Sequence, residues 1–280
     1  MKFGFVTCVR LGLACMEEIY AAGGRLDLVL TLPDKWAAKK SGRVYVDDFC
    51  GAHGIDLVKV KNVNDPEAIQ AVREHEIDWL FIIGWSQIAH PEMLSAPRRG
   101  ALGMHPTLLP QGRGRAAIPW AIIKGLEETG VTLFQLDAGV DTGPIVAQER
   151  IPLSPRETAA ELYEKVSEAH RTLIRRIWWD LAEDRLAPTP QDESRASVWP
   201  GRTPEDGQIF PSMTVGEADR LVRATTRPYP GAFWSEGGKT LRIWSGEIGD
   251  AGTSPAEGRR RLSLSGGVYD ATDCEEEEPR

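Results

Sequence analysis

One histidine and one aspartate stand out among the side chains of this chain as a pair that could handle protons. His105 begins a segment rich in proline and glycine, and Asp141 follows thirty-six residues later within a second glycine-rich turn. Loops hold polar groups that a packed strand or helix would have to bury. A histidine and a carboxylate on two such loops can meet in a cleft and exchange protons there.

Other chemical interpretations of these loops compete with that one. Aspartates in turns often bond their own backbone, so turn formation alone could account for Asp137 and Asp141. A metal site needs three or four suitably spaced ligands, and His105 has no partner two or four residues away, so we expect no metal. The glycines around Arg113 also lack the spacing of a phosphate-binding loop.

Apolar segments alternate with helix-like segments in the first half of the chain. This β-α-β-α-β order predicts a mostly parallel, Rossmann-like sheet with helices on both faces. In such sheets ligands bind beyond the carboxyl ends of the strands, where residues 84–89 and the His105 loop would both open. The predicted strands are Lys2–Thr7, Leu26–Leu32, Leu57–Lys61 and Trp79–Ile83.

The second half of the chain predicts a long helix and then a change of character. Ile145–Ile151 is typical of an edge strand, and Thr158 and Glu161 have the spacing of a capping box that would begin the helix. Residues 186–200 are rich in proline, serine and charge, as in a linker. We therefore predict a catalytic domain over residues 1–190 and a small β-rich domain over residues 200–280, with a loose acidic tail at residues 275–278.

Composition narrows the class of protein. The 280 residues carry a formal net charge of −8 and a pI of about 5.3, which argues against a broad basic surface for nucleic acid. No apolar run approaches the roughly 20 residues of a membrane span. The first residues lack the pattern of a signal peptide, and the four cysteines show no paired spacing. We expect a reduced, cytoplasmic protein without a membrane partner, and a homodimer is possible.

Several segments together resemble the folate-dependent formyltransferase family. They are GWSQI, HPTLLPQGRG, AAIPWAIIKG and TGVTLFQLDAGVDTGPI. That family includes methionyl-tRNA formyltransferase, glycinamide ribonucleotide transformylase and the sugar N-formyltransferases. The resemblance covers Lys2–Pro200, and RTPEDGQI, LVRATTRPYPGAFW and KTLRIW extend it into the C-terminal domain of the sugar and tRNA members. It implies transfer of a formyl group from N10-formyltetrahydrofolate to a primary amine.

The resemblance also implies roles for individual residues. His105 and Asp141 match the family's catalytic histidine and aspartate. The pterin of the folate would lie between two segments. The matching positions there are Trp85, Gln87 and Ile88 on one side and Ala138 and Val140 on the other.

Three further residues are candidates for binding the acceptor substrate. Arg113 matches the arginine of the loop after the catalytic histidine, and Arg10 could likewise meet a diphosphate. Arginines at helix surfaces are also often merely solvated. Tyr229, between two prolines, could stack on a base or simply pack in a rigid turn.

One position departs from the family pattern. The usual motif is Asn-x-His, in which the asparagine amide donates to the developing oxyanion, whereas this chain has Gly103 before Met104 and His105. Losing one such donor typically costs on the order of 10²–10³ in rate. A water or another side chain could replace it, protonated His105 could carry the oxyanion alone, the site could be adapted to an unusual acceptor, or the protein could be a weak or non-catalytic relative.

The sequence constrains the identity of the acceptor substrate less than it constrains the reaction. The acidity of the chain and a short, mildly basic loop at Lys35–Arg43 disfavour tRNA, as does a C-terminal region that looks short for a tRNA-binding barrel. The sequence is more similar to nucleotide-sugar members, so we expect a small-molecule amine, a nucleotide-linked amino sugar above all. Methionyl-tRNA, or water as in a formyltetrahydrofolate hydrolase, are the alternatives.

Overall fold

The computed structural model describes residues 1–37 and 43–277, which divide into two compact units. The first consists of residues 1–113, 130–150 and 166–197, and the second of residues 114–129, 151–165 and 198 onward. This division follows packing within the chain. The domain ranges expected from the sequence stay a prediction.

The first unit is built on a seven-stranded sheet with the order β3-β2-β1-β4-β5-β7-β8. β1 to β5 run parallel, whereas β7 runs antiparallel to β5. The predicted mostly parallel sheet is therefore confirmed, and β8 lies at its edge as expected. The seven strands are β1 (Phe3–Val6), β2 (Leu28–Thr31), β3 (Asp56–Lys59), β4 (Trp79–Ile82), β5 (Gly100–His105), β7 (Glu128–Gln135) and β8 (Ile145–Pro152), and the short β6 (Arg113–Gly114) lies outside this sheet.

The helices follow the strands in the expected alternation. Pro66 occupies the first turn of α4, where its missing N–H costs nothing. Lys35 lies in a short helix rather than in the polar loop predicted for Lys35–Arg43, and Lys39 and Lys40 lie outside the described residues. The helices are α1 (Arg10–Ala21), α2 (Asp34–Ala37), α3 (Asp47–His53), α4 (Pro66–Glu74), α5 (Pro91–Leu94), α6 (Ala117–Ile123), α7 (Ala159–Ala182) and α8 (Val215–Thr225).

A buried apolar cluster of the first unit packs against the first residues of two of its loops. Every residue of β1 and β2 is buried, as expected for parallel strands covered on both faces. Leu80 of β4 and Ala101 of β5 belong to one buried cluster with the inner face of α4. Trp85 and Leu136, which begin two of the loops discussed below, pack against that cluster. The core thus fixes the point at which each loop leaves the sheet.

The second unit contains a five-stranded sheet with the order β10-β11-β12-β14-β13, which confirms the small β-rich region. α8 begins with a capping box between Thr214 and Glu217, and its Leu221 and Val222 share a buried cluster with Tyr269 of the sheet. The strands are β9 (Val198–Trp199), which is outside this sheet, β10 (Gln208–Ile209), β11 (Ala232–Glu236), β12 (Lys239–Gly249), β13 (Arg260–Leu264) and β14 (Gly267–Glu277).

The acidic residues near the end of the chain are ordered, contrary to the predicted loose tail. Glu275, Glu276 and Glu277 belong to β14 and pair with β12. Arg242 donates two hydrogen bonds to the Glu277 carboxylate, which offsets part of the repulsion within the run. Glu278 lies outside the described residues. No helix in residues 1–37 and 43–277 is long and apolar enough to cross a membrane.

Candidate active site

His105 is the last residue of β5 and is almost completely buried. Its Nε2 lies 2.8 Å from the carbonyl oxygen of Gly112. A carbonyl can only accept a hydrogen bond, so Nε2 must carry a hydrogen. The nitrogen that is left to gain or lose a proton is therefore Nδ1.

Asp141 faces that second nitrogen. Its Oδ2 lies 3.5 Å from His105 Nδ1, and the two side chains are 18% and 10% exposed. This separation is slightly longer than a hydrogen bond, but catalytic hydrogen bonds are often long before substrate binds. A carboxylate at this position stabilises the imidazolium that forms when Nδ1 takes a proton. The geometry brings the two predicted catalytic residues together.

The loop after His105 is fixed by residues of β7 and β8. Thr132, which lies opposite His105 in the sheet, donates to the Thr107 carbonyl at 2.7 Å and accepts from the Leu109 amide at 3.0 Å. Gln148 donates both to Thr132 Oγ1 and to the Leu109 carbonyl. These bonds hold the loop that returns Gly112 to the imidazole.

The loop that carries Asp141 is a tight turn. Asp137 accepts from the amide of Gly139 at 3.0 Å and from the Thr142 hydroxyl at 2.7 Å, so the turn-forming interpretation describes Asp137 well. A Cβ atom at Gly143 would lie 1.7 Å from the Gln135 carbonyl oxygen, so only glycine fits there. The backbone of Asp141 is left-handed, with φ of 56°, which is unusual for a residue other than glycine.

Arg113 is fully engaged by neighbouring side chains. Its guanidinium donates twice to Gln191 Oε1, at 3.1 and 2.8 Å, and twice to the Glu193 carboxylate, at 2.9 and 2.6 Å. The side chain is only 7% exposed, and its hydrogen bond lowers the pKa of Glu193. The geometry thus gives Arg113 a structural task, and a role in binding substrate stays a prediction.

The segment on the predicted pterin side is held by Gln87. The Gln87 amide oxygen accepts from the Val63 amide at 2.9 Å and from Trp85 Nε1 at 3.1 Å, and its nitrogen donates to the Lys61 carbonyl at 2.9 Å. The side chain therefore orders the loop rather than offering itself to a ligand. Ile88, in contrast, is 73% exposed.

The other predicted pterin segment also presents apolar surface. Val140 is 58% exposed, and Ala138 is exposed as well. Ile88 and Val140 are among the few large hydrophobic side chains of the first unit that reach solvent. Exposed aliphatic side chains on two loops are suited to covering a flat ring system.

A second histidine lies in the same unit. His170, in α7, is 1% exposed and its Nδ1–H donates to the Val166 carbonyl at 2.7 Å. Burial lowers the pKa of His170 to about 4, and the proximity of His105 also disfavours its charged form. His170 is consequently neutral at physiological pH.

Gly103 occupies the position at which the family motif has asparagine. It is buried in β5 and pairs with Ile82 on one side and Phe134 on the other. A Cβ atom there would lie 2.7 Å from Leu136 Cδ2. A larger residue at this position would have to displace the end of the Leu136 side chain.

Two predicted substrate residues are not drawn into this network. Arg10 is the first residue of α1 and its side chain is exposed. Tyr229 belongs to the second unit, where burial raises its pKa to about 12. Their roles in substrate binding stay predictions. Within the described residues no group of three or more histidine, cysteine or carboxylate side chains could hold a metal ion.

The sequence did not point to the residues that hold the two loops together. Residues 186–200 read as a linker, yet Ser197 Oγ accepts from the Gly112 amide and the Ser197 carbonyl from the Arg113 amide. Gln191 and Glu193, described above, come from the same segment. Proline, serine and charge are common both to linkers and to polar segments that bind a loop, so composition could not separate the two.

Comparison with known proteins identifies the class to which this fold and site belong. Residues 22–177 match the formyl transferase family, and residues 202–271 match the formyl transferase C-terminal domain. The first match covers more than half of the chain. The chain therefore belongs to the folate-dependent formyltransferase family and is a formyl transfer enzyme.

Individual relatives divide between two acceptors. A methionyl-tRNA formyltransferase from Lachnospira eligens is 29% identical over 252 residues, which cover 89% of this chain and 80% of the relative. An N-formyltransferase from Helicobacter canadensis, solved with folinic acid and dTDP-3-aminofucose, superposes with a TM-score of 0.72 at 16% identity over 97% of this chain and 98% of its own. A methionyl-tRNA formyltransferase from Clostridium thermocellum gives 0.64 at 18% identity over 99% of both chains.

Proposed function

We propose that this enzyme transfers the formyl group of N10-formyltetrahydrofolate to the primary amine of a nucleotide-linked amino sugar. The observation that carries the proposal is the approach of His105 Nδ1 and Asp141 Oδ2 to 3.5 Å in a unit that belongs to this family. One nitrogen of the imidazole is held by the Gly112 carbonyl, so the other is available for proton transfer.

The residues of the first unit fit a folate as donor. Ile88 and Val140 would cover the two faces of the pterin, and the ordered backbone of residues 85–88 would offer hydrogen-bonding groups to its edge. The Helicobacter canadensis relative was solved with folinic acid. When bound, the folate would supply an activated formyl group on nitrogen.

The chemistry requires two proton movements. His105 accepts a proton through Nδ1 as the acceptor nitrogen attacks the formyl carbon, and Asp141 stabilises the imidazolium. The new C–N bond forms to the acceptor, the C–N10 bond breaks, and His105 returns its proton to the departing nitrogen. One imidazole–carboxylate pair thus serves both steps, provided the carboxylate holds the ring in place.

Protonated His105 could also supply the oxyanion donor that the asparagine of the family motif would have provided. Gly103 has no side chain, and its backbone lies between two paired strands. The hydrogen on Nδ1 can donate to the oxyanion, so that one group acts as base and as oxyanion donor. The cost would be a slower reaction than one assisted by a separate amide.

Two observations favour a sugar acceptor. The Helicobacter canadensis relative was solved with dTDP-3-aminofucose and covers nearly the whole chain. The net charge of −8 disfavours the extensive phosphate contacts that a tRNA requires. Arg10 and Tyr229 are the candidates for contacts with the nucleotide.

Methionyl-tRNA is the second candidate, because the Lachnospira eligens relative carries that activity in its name and is 29% identical. A tRNA acceptor would predict activity that falls steeply with salt. A sugar nucleotide, with few charges, would show a shallow dependence.

The discriminating experiment measures tetrahydrofolate formed from N10-formyltetrahydrofolate with dTDP-3-aminofucose, with methionyl-tRNA, or with no amine. Release of tetrahydrofolate only when the sugar nucleotide is present supports the proposal. Release only when methionyl-tRNA is present supports the second candidate. Equal release without any amine indicates hydrolysis. Binding of the folate with no release under any condition contradicts the enzymatic assignment of this site.

A further inference from the structure

The side chain of Gln191 connects the two loops that carry the catalytic pair. Its Nε2 donates to the backbone carbonyls of Asp141, at 2.8 Å, and Gly143, at 2.7 Å. Its Oε1 accepts the two hydrogen bonds from Arg113. All of these residues belong to the first unit, and Gln191 lies 50 residues from Asp141 in sequence.

The chemistry of the neighbours allows only one orientation of the amide. A guanidinium has donors and no acceptor, so it requires the oxygen of Gln191, whereas two carbonyls require the nitrogen. Glutamate would satisfy Arg113 but would turn an acceptor toward both carbonyls. Asparagine is one methylene shorter and could not reach both sides at these distances.

These contacts close a ring around the reacting groups. His105 is hydrogen-bonded to the Gly112 carbonyl, Gly112 precedes Arg113 in the chain, and Arg113 is hydrogen-bonded to Gln191. Gln191 is bonded to the backbone of Asp141, whose carboxylate faces His105 again. Glu193 anchors the ring from outside through its two contacts with Arg113.

Asp141 needs such support. Residues other than glycine rarely adopt the left-handed region, although aspartate does so more readily than most, and contacts with the surroundings help to hold them there. The two carbonyls that Gln191 holds lie at Asp141 itself and two residues beyond it. A loop released at this point could relax and carry the carboxylate away from the imidazole.

We infer that Gln191 is a positioning residue for the formyl transfer reaction, which sets the separation of Asp141 and His105 by holding the backbone at residues 141–143. The inference builds on the proposed catalytic pair. It assigns Gln191 no contact with either substrate, and the carbonyls that Gln191 holds lie at residues 141 and 143. Its loss should therefore lower kcat by a larger factor than it raises KM for the folate, which would contact the same loop only through Ala138 and Val140.

The test compares Gln191→Leu with Gln191→Glu in the full chain. Displacement of a catalytic group by about 1 Å can cost on the order of 10²-fold in rate, so we expect kcat to fall by that order in both variants. The assay uses N10-formyltetrahydrofolate and dTDP-3-aminofucose. In parallel, hydrogen exchange of residues 138–143 should accelerate at least about tenfold in both.

The pair of variants separates positioning from general stability. Gln191→Glu keeps the contact with Arg113, so it should unfold at a higher temperature than Gln191→Leu and still lose activity. Gln70→Glu adds the same charge at an exposed position of α4 and should change neither kcat nor the exchange of residues 138–143.

Two results would overturn the inference. One is a kcat within about threefold of the wild type in either Gln191 variant that folds. The other is unchanged hydrogen exchange at residues 138–143. Should the wild type release no tetrahydrofolate, the proposed function fails, and the exchange measurement alone decides whether Gln191 holds the loop.

Discussion

Two loops of the first unit are each held in part by the side-chain amide of one glutamine, but the two glutamines connect them to different parts of the chain. Gln87 joins residues 61–63 to its own loop, within a separation of 26 residues. Gln191 reaches the Asp141 loop from a segment 50 residues away. It is one member of the ring of contacts that also contains His105. The segment at residues 85–88 is therefore held by nearby parts of the chain, whereas the Asp141 loop depends on the distant segment that follows α7.

This difference suggests that Gln87 affects substrate binding and that Gln191 affects the rate of the chemical step. Gln87 shapes a surface on which a ligand would rest, and a small error there weakens binding. Gln191 fixes the distance between two reacting side chains, and a similar error there slows the chemistry.

Removing either member of the proposed catalytic pair, His105 and Asp141, should have the largest effect on the rate. We expect His105→Ala and Asp141→Asn each to reduce the rate of tetrahydrofolate formation by on the order of 10³-fold, because general acid–base catalysis contributes 10²–10⁴-fold. The temperature of unfolding should change little compared with the rate, since neither side chain belongs to the two buried apolar clusters described above. A rate near that of the wild type in either variant would dismiss the assignment.

Gln87→Leu should produce the opposite kinetic pattern to Gln191→Leu. The Trp85 and Val63 contacts would be lost, and the loop at residues 85–88 would become less ordered. We expect KM for N10-formyltetrahydrofolate to rise about tenfold with kcat within about threefold, a loss of ground-state binding. A fall in kcat like that expected for Gln191 would erase the distinction between the two loops.

Gly103→Asn tests the missing oxyanion donor, with Gly103→Ala as its matched control. Both add a Cβ that meets Leu136, so both should lose roughly 1–3 kcal/mol of stability through overpacking. Only asparagine adds an amide, and we expect its kcat to exceed that of the alanine variant at least tenfold. Equal rates in the two variants would indicate that the site has no use for that donor.

The smallest predicted effect concerns His170 and pH. Its pKa is about 4 in the folded protein and about 6.5 when unfolded, so below pH 6.5 the unfolded state binds the extra proton. The free energy of unfolding should therefore fall by about 2 kcal/mol from pH 7 to pH 5 on this account. Glu18 and Glu161, whose pKa values are lowered, lose their contributions below that window.

Denaturant unfolding at several pH values checks this slope. In His170→Leu the decline between pH 7 and pH 5 should be largely absent, whatever the absolute stability of the variant. A decline as steep as that of the wild type would assign the titration to another group.

Sequence patterns predicted the parts of the molecule that depend on local chemistry. The alternation of apolar and helical segments indicated the parallel sheet, and the capping-box spacing of Thr158 and Glu161 marks the start of α7, where the two residues are hydrogen-bonded to each other. The approach of His105 to Asp141 followed from a resemblance to a family, since nothing in their spacing alone required it.

What the sequence did not reveal depends on contacts between distant segments. Gln191 lies in a stretch whose composition is that of a linker, and only the fold brings it to Arg113 and Asp141. The run at residues 275–277 read as a solvated tail because its pairing with β12 and Arg242 involves residues more than 30 positions away. A charged, polar composition occurs both in segments that contact a distant part of the chain and in segments that do not, so composition alone did not reveal these contacts.

The central claim is that His105 and Asp141 act as one unit, and a double-variant cycle tests it most directly. The rates of tetrahydrofolate formation would be measured for the wild type, His105→Ala, Asp141→Asn and the variant with both changes. If the carboxylate acts only through the imidazole, the double variant should be no more than about threefold slower than His105→Ala. Losses that multiply would contradict the account, because they would mean that the two side chains act independently.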